Sequence, residues 1–205
     1  MEQLKIKTVN YYSILVLSII TVLFTNSCKS QEKLELNDLG TALEKKKEVV
    51  ILKVKNENRY KSFPLEVYDL SNLEILSFTG SQCDTRNEGC LNIDKLPDGI
   101  KNLSKLKELY LVMNNIKYLT SDINKLNNLK VLDLSNNTSL NLDNLNNEYI
   151  EILNLNECYL SSLPKSLYKM KNLKTLGLEG NTIDKSEIEE LQKKPLYSMI
   201  KTSKS

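Results

Sequence analysis

The sequence predicts an α/β solenoid: a stack of short units, each adding one strand to a single parallel sheet. Three observations predict it. Leu106, Leu109, Leu111, Asn114 and Ile116 recur as Leu129, Leu132, Leu134, Asn137 and, one residue late, Leu140, a period of 23 residues. Self-similarity at that period is the signature of stacked repeats. Leu132 and Leu134 flank Asp133, so an extended chain turns both leucines to one face and the aspartate to the other. A unit of this size cannot bury that leucine face alone, whereas stacked units join their leucines into a continuous core. Each buried Leu then contributes about 1.5–3 kcal/mol.

Units in the same register start at Val49, Leu73, Leu106, Leu129, Ile150 and Leu173, at intervals of 24, 33, 23, 21 and 23 residues. Their shared order is an apolar residue, two variable ones, an apolar, a variable, an apolar, two variable, then Asn or a substitute. This resembles the leucine-rich repeat over nearly all of Val49 to Leu191. The resemblance implies an arc or horseshoe with a parallel sheet on its concave face and short helical or irregular convex segments. Asn114, Asn137 and Asn181 fall at the bend after each strand, where a buried amide can satisfy backbone groups and link neighbouring units. Cys158 takes that place in the fifth unit and Ser81 in the second, while the first unit reaches Asn58 only with one residue inserted.

The returning limbs repeat as well. Leu96, Ile100 and Leu103, then Leu119, Ile123 and Leu126, then Leu163, Leu167 and Met170 are spaced i, i+4, i+7, the inward faces of short helical turns. Phe63-Pro64, Leu96-Pro97 and Leu163-Pro164 stand at their starts, where proline is tolerated. The unit from Leu129 is shorter and has no proline, so its return is expected to be irregular. Residues 34–48 precede the repeats and put Leu36, Leu39 and Leu43 on one helical face, the expected N-terminal cap over an otherwise open first unit. Residues 49–185 hold the six repeats, and 186–205 form a C-terminal cap and tail. There Ser186 to Leu191 reads as a helix with acids in its first turn, closed by Lys193-Lys194-Pro195.

The first 27 residues read as an address. Lys5 and Lys7 precede an apolar run over 11–24 that is shorter than the ~20 residues a membrane span needs and suits the core of a signal peptide. Thr25-Asn26-Ser27-Cys28 resembles the lipobox of bacterial lipoproteins, with Ser27 at the small position and Thr25 where Leu is usual. The resemblance implies lipidation at Cys28, residues 28–33 as lipidated Cys and short polar tether, and a cell-envelope location on the periplasmic or the surface side. An ordinary cleaved signal and an uncleaved anchor are the other readings.

Lys and Arg number 28 against 26 Asp and Glu, a net charge of +2, which argues against nucleic acid as the main partner. With no His in the chain, the usual general base and the commonest metal ligand are missing. No Gly-rich nucleophile turn or phosphate-cradling loop appears, so neither an enzyme nor a cofactor is expected. The long interval between Leu73 and Leu106 holds an insertion near 82–91 with Cys83 and Cys90. In an exported chain this pair suggests a disulfide closing a short loop. Two cysteines alone do not make a metal site.

The informative positions are the variable residues that face out of the sheet. Between the leucines they read Lys53, Ser77, Tyr110, Asp133, Asn154 and Gly177; after the second leucine, Lys55, Thr79, Val112, Ser135, Asn156 and Glu179; and next, Asn56, Gly80, Met113, Asn136, Glu157 and Gly180. The face is expected to grade from basic to acidic along the stack, with Tyr110, Val112 and Met113 as an apolar island. Lys53, Lys55, Tyr110, Val112, Met113, Asp133, Asn154 and Asn156 are therefore the candidate ligand contacts. The expected activity is recognition of a protein or peptide by a monomer on its concave face. An envelope structural or adhesive role and glycan capture are the rival readings.

Overall fold

The structure, a computed structural model, describes residues 32–55, 60, 62–80 and 93–193. The chain divides into two compact units, Met1–Lys33 and Leu34–Ser205, and the second carries the repeats. The signal segment, Cys28, the Cys83 and Cys90 pair, Asn56, Asn58, Ser81 and the tail from Lys194 lie outside the described residues.

The described strands are, in chain order, β1 (Leu34–Leu36), β2 (Val49–Lys55), β3 (Ile75–Thr79), β4 (Lys95–Leu96), β5 (Glu108–Tyr110), β6 (Tyr118–Leu119), β7 (Val131–Asp133), β8 (Ile152–Asn154) and β9 (Thr175–Gly177). Seven of them form one sheet in the order β1-β2-β3-β5-β7-β8-β9, and β4 and β6 pair beside it. All described pairings are parallel. Leu52, Leu76, Leu109, Leu132, Leu153 and Leu176 stand side by side across the sheet and are fully buried. The apolar residues three before and two after each of them are buried too, so the three leucine columns close one core.

The N-terminal cap differs from the expected helix. Leu36 belongs to β1, where it pairs with Leu52. The open edge of β2 carries unpaired N–H and C=O groups, and a strand satisfies these where a helix would only cover them. The helix shrinks to α1 (Leu39–Glu44), whose N-cap Asp38 accepts from the Thr41 N–H at 2.7 Å. At the other end, α2 (Lys185–Gln192) starts from Asp184, which accepts from the Ser186 N–H at 2.7 Å, and it buries Leu191.

The convex turns are 3₁₀ segments at Leu65–Asp69, Ile100–Asn102, Ser121–Lys125 and Lys165–Lys169. Pro64 and Pro164 precede theirs as N-caps. Their shortness fits the tighter 3₁₀ geometry, which rarely extends beyond a turn or so. The short fourth unit returns without a helix. Where its neighbours carry Leu126 and Met170, it has Asn147, whose amide donates to the carbonyls of Ile123 at 2.8 Å and Leu126 at 3.1 Å.

Two asparagine ladders tie the units together. Asn114 donates to Phe78 O at 2.9 Å and Val112 O at 3.0 Å and accepts from the Ile93 N–H at 3.3 Å. Asn181 repeats the pattern on Leu155 O at 2.8 Å, Leu178 O at 2.9 Å and the Leu160 N–H at 2.9 Å. Cys158 keeps the donor half, its thiol reaching Leu134 O at 3.3 Å, and burial pushes its pKa up. The second ladder runs along the descending side. Asn72, Asn128 and Asn172 donate to the carbonyls of Lys47, Ser104 and Glu148, each at 2.8 Å. Its trace in the sequence is the Asn-Leu pair opening three of the units.

Candidate functional site

Lys53, Ser77, Tyr110, Asp133, Asn154 and Gly177 are paired neighbours across the sheet, as the repeat register requires. The later rows differ from expectation in β5 and beyond. Those strands end at Tyr110, Asp133, Asn154 and Gly177, so Val112, Ser135, Asn156 and Glu179 begin the turn. Backbone bonds carry the parallel ladder onward, for example Met113 N–H to Ser135 O at 3.0 Å and Glu157 N–H to Glu179 O at 2.7 Å. The following row adopts left-handed backbone, with φ of 55° at Met113, 60° at Asn136, 54° at Glu157 and 68° at Gly180. Gly and Asn accept that conformation readily; Met113 and Glu157 hold it at a cost of about 1–3 kcal/mol each. The apolar island is therefore split: Tyr110 lies on the sheet, whereas Val112 and Met113 form its rim.

Tyr110 donates its hydroxyl to Glu108 Oε2 at 2.7 Å. Burial first, then that bond and the charges of Glu108 and Asp133, push its pKa up to about 12. The hydroxyl thus stays protonated and the ring is fixed in place. Asp133 Oδ1 accepts from the Ser135 N–H at 2.9 Å and from its hydroxyl at 2.6 Å, while Oδ2 accepts from Asn154 Nδ2 at 2.9 Å. Asn154 Oδ1 in turn accepts from the Asn156 N–H at 3.1 Å, and Asn156 Oδ1 from the Glu179 N–H at 2.8 Å. These candidate contacts hold one another in fixed geometry. Gly177 makes room for them: a Cβ there would lie 2.6 Å from Asn154 Oδ1 and 2.7 Å from Asn156 Oδ1.

Sequence reasoning missed a row. Ile51, Ile75, Glu108, Val131, Ile152 and Thr175 are also neighbours across the sheet, and by strand alternation they share the face of Tyr110. They occupy variable positions just ahead of the central leucine and so read as spacing rather than surface. Their signal was the β-branched residue recurring there in five of the six units. The row makes an apolar rail, with Ile152 exposed, and Glu108 interrupts it where it holds Tyr110.

At the N-terminal end Glu35, Asn37, Asp38, Lys53 and Lys55 line a shallow hollow of about 380 Å³. Lys53 pairs with Glu35 at 2.9 Å. The strand β1 thus brings acids beside Lys53 and Lys55, so this end is of mixed sign rather than basic, while exposed Glu157 and Glu179 keep the far end acidic. Among the described residues no cluster of three or more His, Cys, Asp or Glu could hold a metal, and no helix is long and apolar enough to cross a membrane.

The fold is similar to those of known structures. A leucine-rich-repeat protein of Leptospira interrogans superposes with a TM-score of 0.60 at 27% identity, over 84% of this chain and 41% of that one. Internalin C2 of Listeria monocytogenes superposes with a TM-score of 0.52 at 18% identity, over 84% of this chain and 69% of that one, a likeness of fold. The chain therefore spans less than half the length of the Leptospira protein. No protein-family model and no curated protein matches the sequence.

Proposed function

The chain is a leucine-rich-repeat protein, and we propose that it is a non-enzymatic module that binds a protein or peptide along its concave sheet. The observation that carries this reading is the surroundings of Tyr110. Glu108 orients the ring, Ile75 and Val131 continue the apolar rail on either side, and Met113 sits at the rim in a backbone state better suited to Gly or Asn. Strain kept at an apolar rim residue points to a use for the side chain. An ordered aromatic ringed by fixed polar groups is the make-up of a binding hot spot. Because sheet and side chains are already in place, little ordering is needed on binding. The partner protein or peptide would lie across the strands, and no covalent step is involved.

The reading includes export and anchoring. Cys28 receives lipid and holds the monomeric domain at the cell envelope, and a Cys83–Cys90 disulfide closes the insertion. Mass analysis of the mature protein tests both: acyl chains on Cys28 and a crosslink between Cys83 and Cys90 support it, an unmodified Cys28 or two free thiols refute the corresponding part. For recognition, immobilised full-length protein is compared with a Tyr110→Ala, Met113→Ala variant in capturing envelope proteins of the source cells. Capture falling about tenfold or more at unchanged thermal stability is expected for a hot spot; equal capture removes this surface from consideration.

A further inference from the structure

Between the convex segments and the strands, the chain runs back along one flank of the solenoid, and lysines recur there at fixed repeat positions. Lys101, Lys125 and Lys169 stand in the last turns of three 3₁₀ segments. Others bracket the first leucine of each unit, such as Lys105 and Lys107 around Leu106, and Lys171 and Lys174 around Leu173.

Most acids on this flank are already engaged. Asp69 pairs with Lys46 at 2.7 Å and Glu74 with Lys107 at 3.0 Å. Glu151 is shared by Lys130 at 3.1 Å and Lys174 at 2.5 Å. Buried Asp122 is shared by Lys101 at 3.1 Å and Lys125 at 2.8 Å. Lys45, Lys47, Lys105, Lys169 and Lys171 remain exposed without a carboxylate partner among the described residues. The opposite flank, where the chain leaves the sheet, carries Asp94, Asp143, Glu157 and Asp184 against Lys95 and Lys117. A chain of net charge +2 is thus divided by its repeat register into a basic side and an acidic side. The near-balance of the whole sequence hides a clustered basic surface.

We propose that the lysine flank is a second interaction surface, distinct from the concave sheet, and that it lies on an anionic lipid surface. Its chemistry favours this occupant. Arg occurs only at positions 59 and 86, so the flank has none of the forked donors that grip nucleic-acid phosphates and guanines bidentately. Lysine ammoniums are compact charges on flexible stems, suited to a diffuse field of mobile headgroups. Stacked strands lie about 4.7–4.9 Å apart, which spreads the five lysines along the flank from the cap to the sixth unit. The acidic side is repelled by the same field, so the domain settles with one orientation, its concave sheet facing sideways and open to a partner.

The inference does not depend on lipidation of Cys28. Full-length protein carrying Cys28→Ser is mixed with vesicles of phosphatidylglycerol and phosphatidylcholine, or of phosphatidylcholine alone, at low and high salt. Each lysine near an anionic surface contributes about fivefold to partitioning. Replacing Lys45, Lys47, Lys105, Lys169 and Lys171 together by Gln is expected to lower binding to the anionic vesicles by about tenfold or more, with high salt having the same effect. Replacing all five by Arg restores binding, and Lys95→Gln with Lys117→Gln leaves it unchanged. Equal binding to both vesicle types, no loss in the Gln variant, or tighter binding to duplex DNA or RNA than to the anionic vesicles overturns the proposal.

Discussion

Asn137 reaches across the repeat to donate its side-chain amide to the Leu111 carbonyl at 2.9 Å, while its own oxygen accepts from the Ile116 N–H at 2.9 Å. The same amide donates to Leu134 O at 2.7 Å, and the residue is completely buried. Replacement by Leu leaves these backbone groups in the core without partners, at about 1–3 kcal/mol each. Asn137→Leu should therefore lower stability by about 3 kcal/mol or more in urea titration. Asn128→Ala, which loses one exposed bond to Ser104 O, should cost about 1 kcal/mol or less.

Gly177 lies under the two side-chain oxygens of Asn154 and Asn156. A methyl group there forces both amides to move and disturbs the chain of bonds leading back to Asp133. Gly177→Ala is expected to cost about 1–3 kcal/mol, read as a fall in the midpoint of thermal unfolding.

Met113 should separate stability from recognition. Glycine adopts its φ of 55° without strain, so Met113→Gly is expected to raise stability by about 1 kcal/mol while weakening partner capture. A variant that is more stable and binds equally well would show that the strained side chain has no part in recognition.

The bond from Tyr110 to Glu108 has a signature at high pH. The folded protein keeps the Tyr110 proton up to about 12, whereas the unfolded chain releases it near 10.0. Between those values the folded state binds more protons, so the contribution of this group is full below pH 10 and falls as pH rises through 12. Difference titration of tyrosine absorbance against Tyr110→Phe isolates the group, and Glu108→Gln should bring its midpoint back toward the ordinary value.

At low pH the sensitive group is Asp122. Its hydrogen bond from Lys125, then that from the Gly99 N–H, outweigh burial and hold its carboxyl far below the model value of 3.8. The sign is opposite to that of Tyr110: its contribution is full above the unfolded value and is lost as pH falls toward the folded one. Asp122→Asn should flatten the decline of stability below pH 3.8, followed by thermal unfolding across acid pH.

Much of the fold was legible because the repeat is local. Leu132, Leu134 and Asn137 name their own positions in a unit, and the same spacing elsewhere sets the register, which the alignment of Lys53 through Gly177 reproduces. The candidate face was legible only in part. Tyr110 was recognised, but Ile51, Ile75, Val131 and Ile152 were not, because variable positions in a repeat look like spacing until strand alternation gives them a side. Leu36 was misplaced in a helix because its spacing from Leu39 fits one, and nothing local reports that the edge of β2 needs backbone partners.

By itself the sequence determined the number and register of the repeats, the leucine columns and the amide positions, all carried by a residue and its near neighbours through the periodicity of strand and turn. The tertiary structure alone decided which side chains meet across units. It set Glu35 beside Lys53, Glu108 under the Tyr110 hydroxyl, Asn154 against Asp133, and the lysines together on one flank. Those relationships join residues of different units or depend on the exact turn of the backbone, and only stacking creates them.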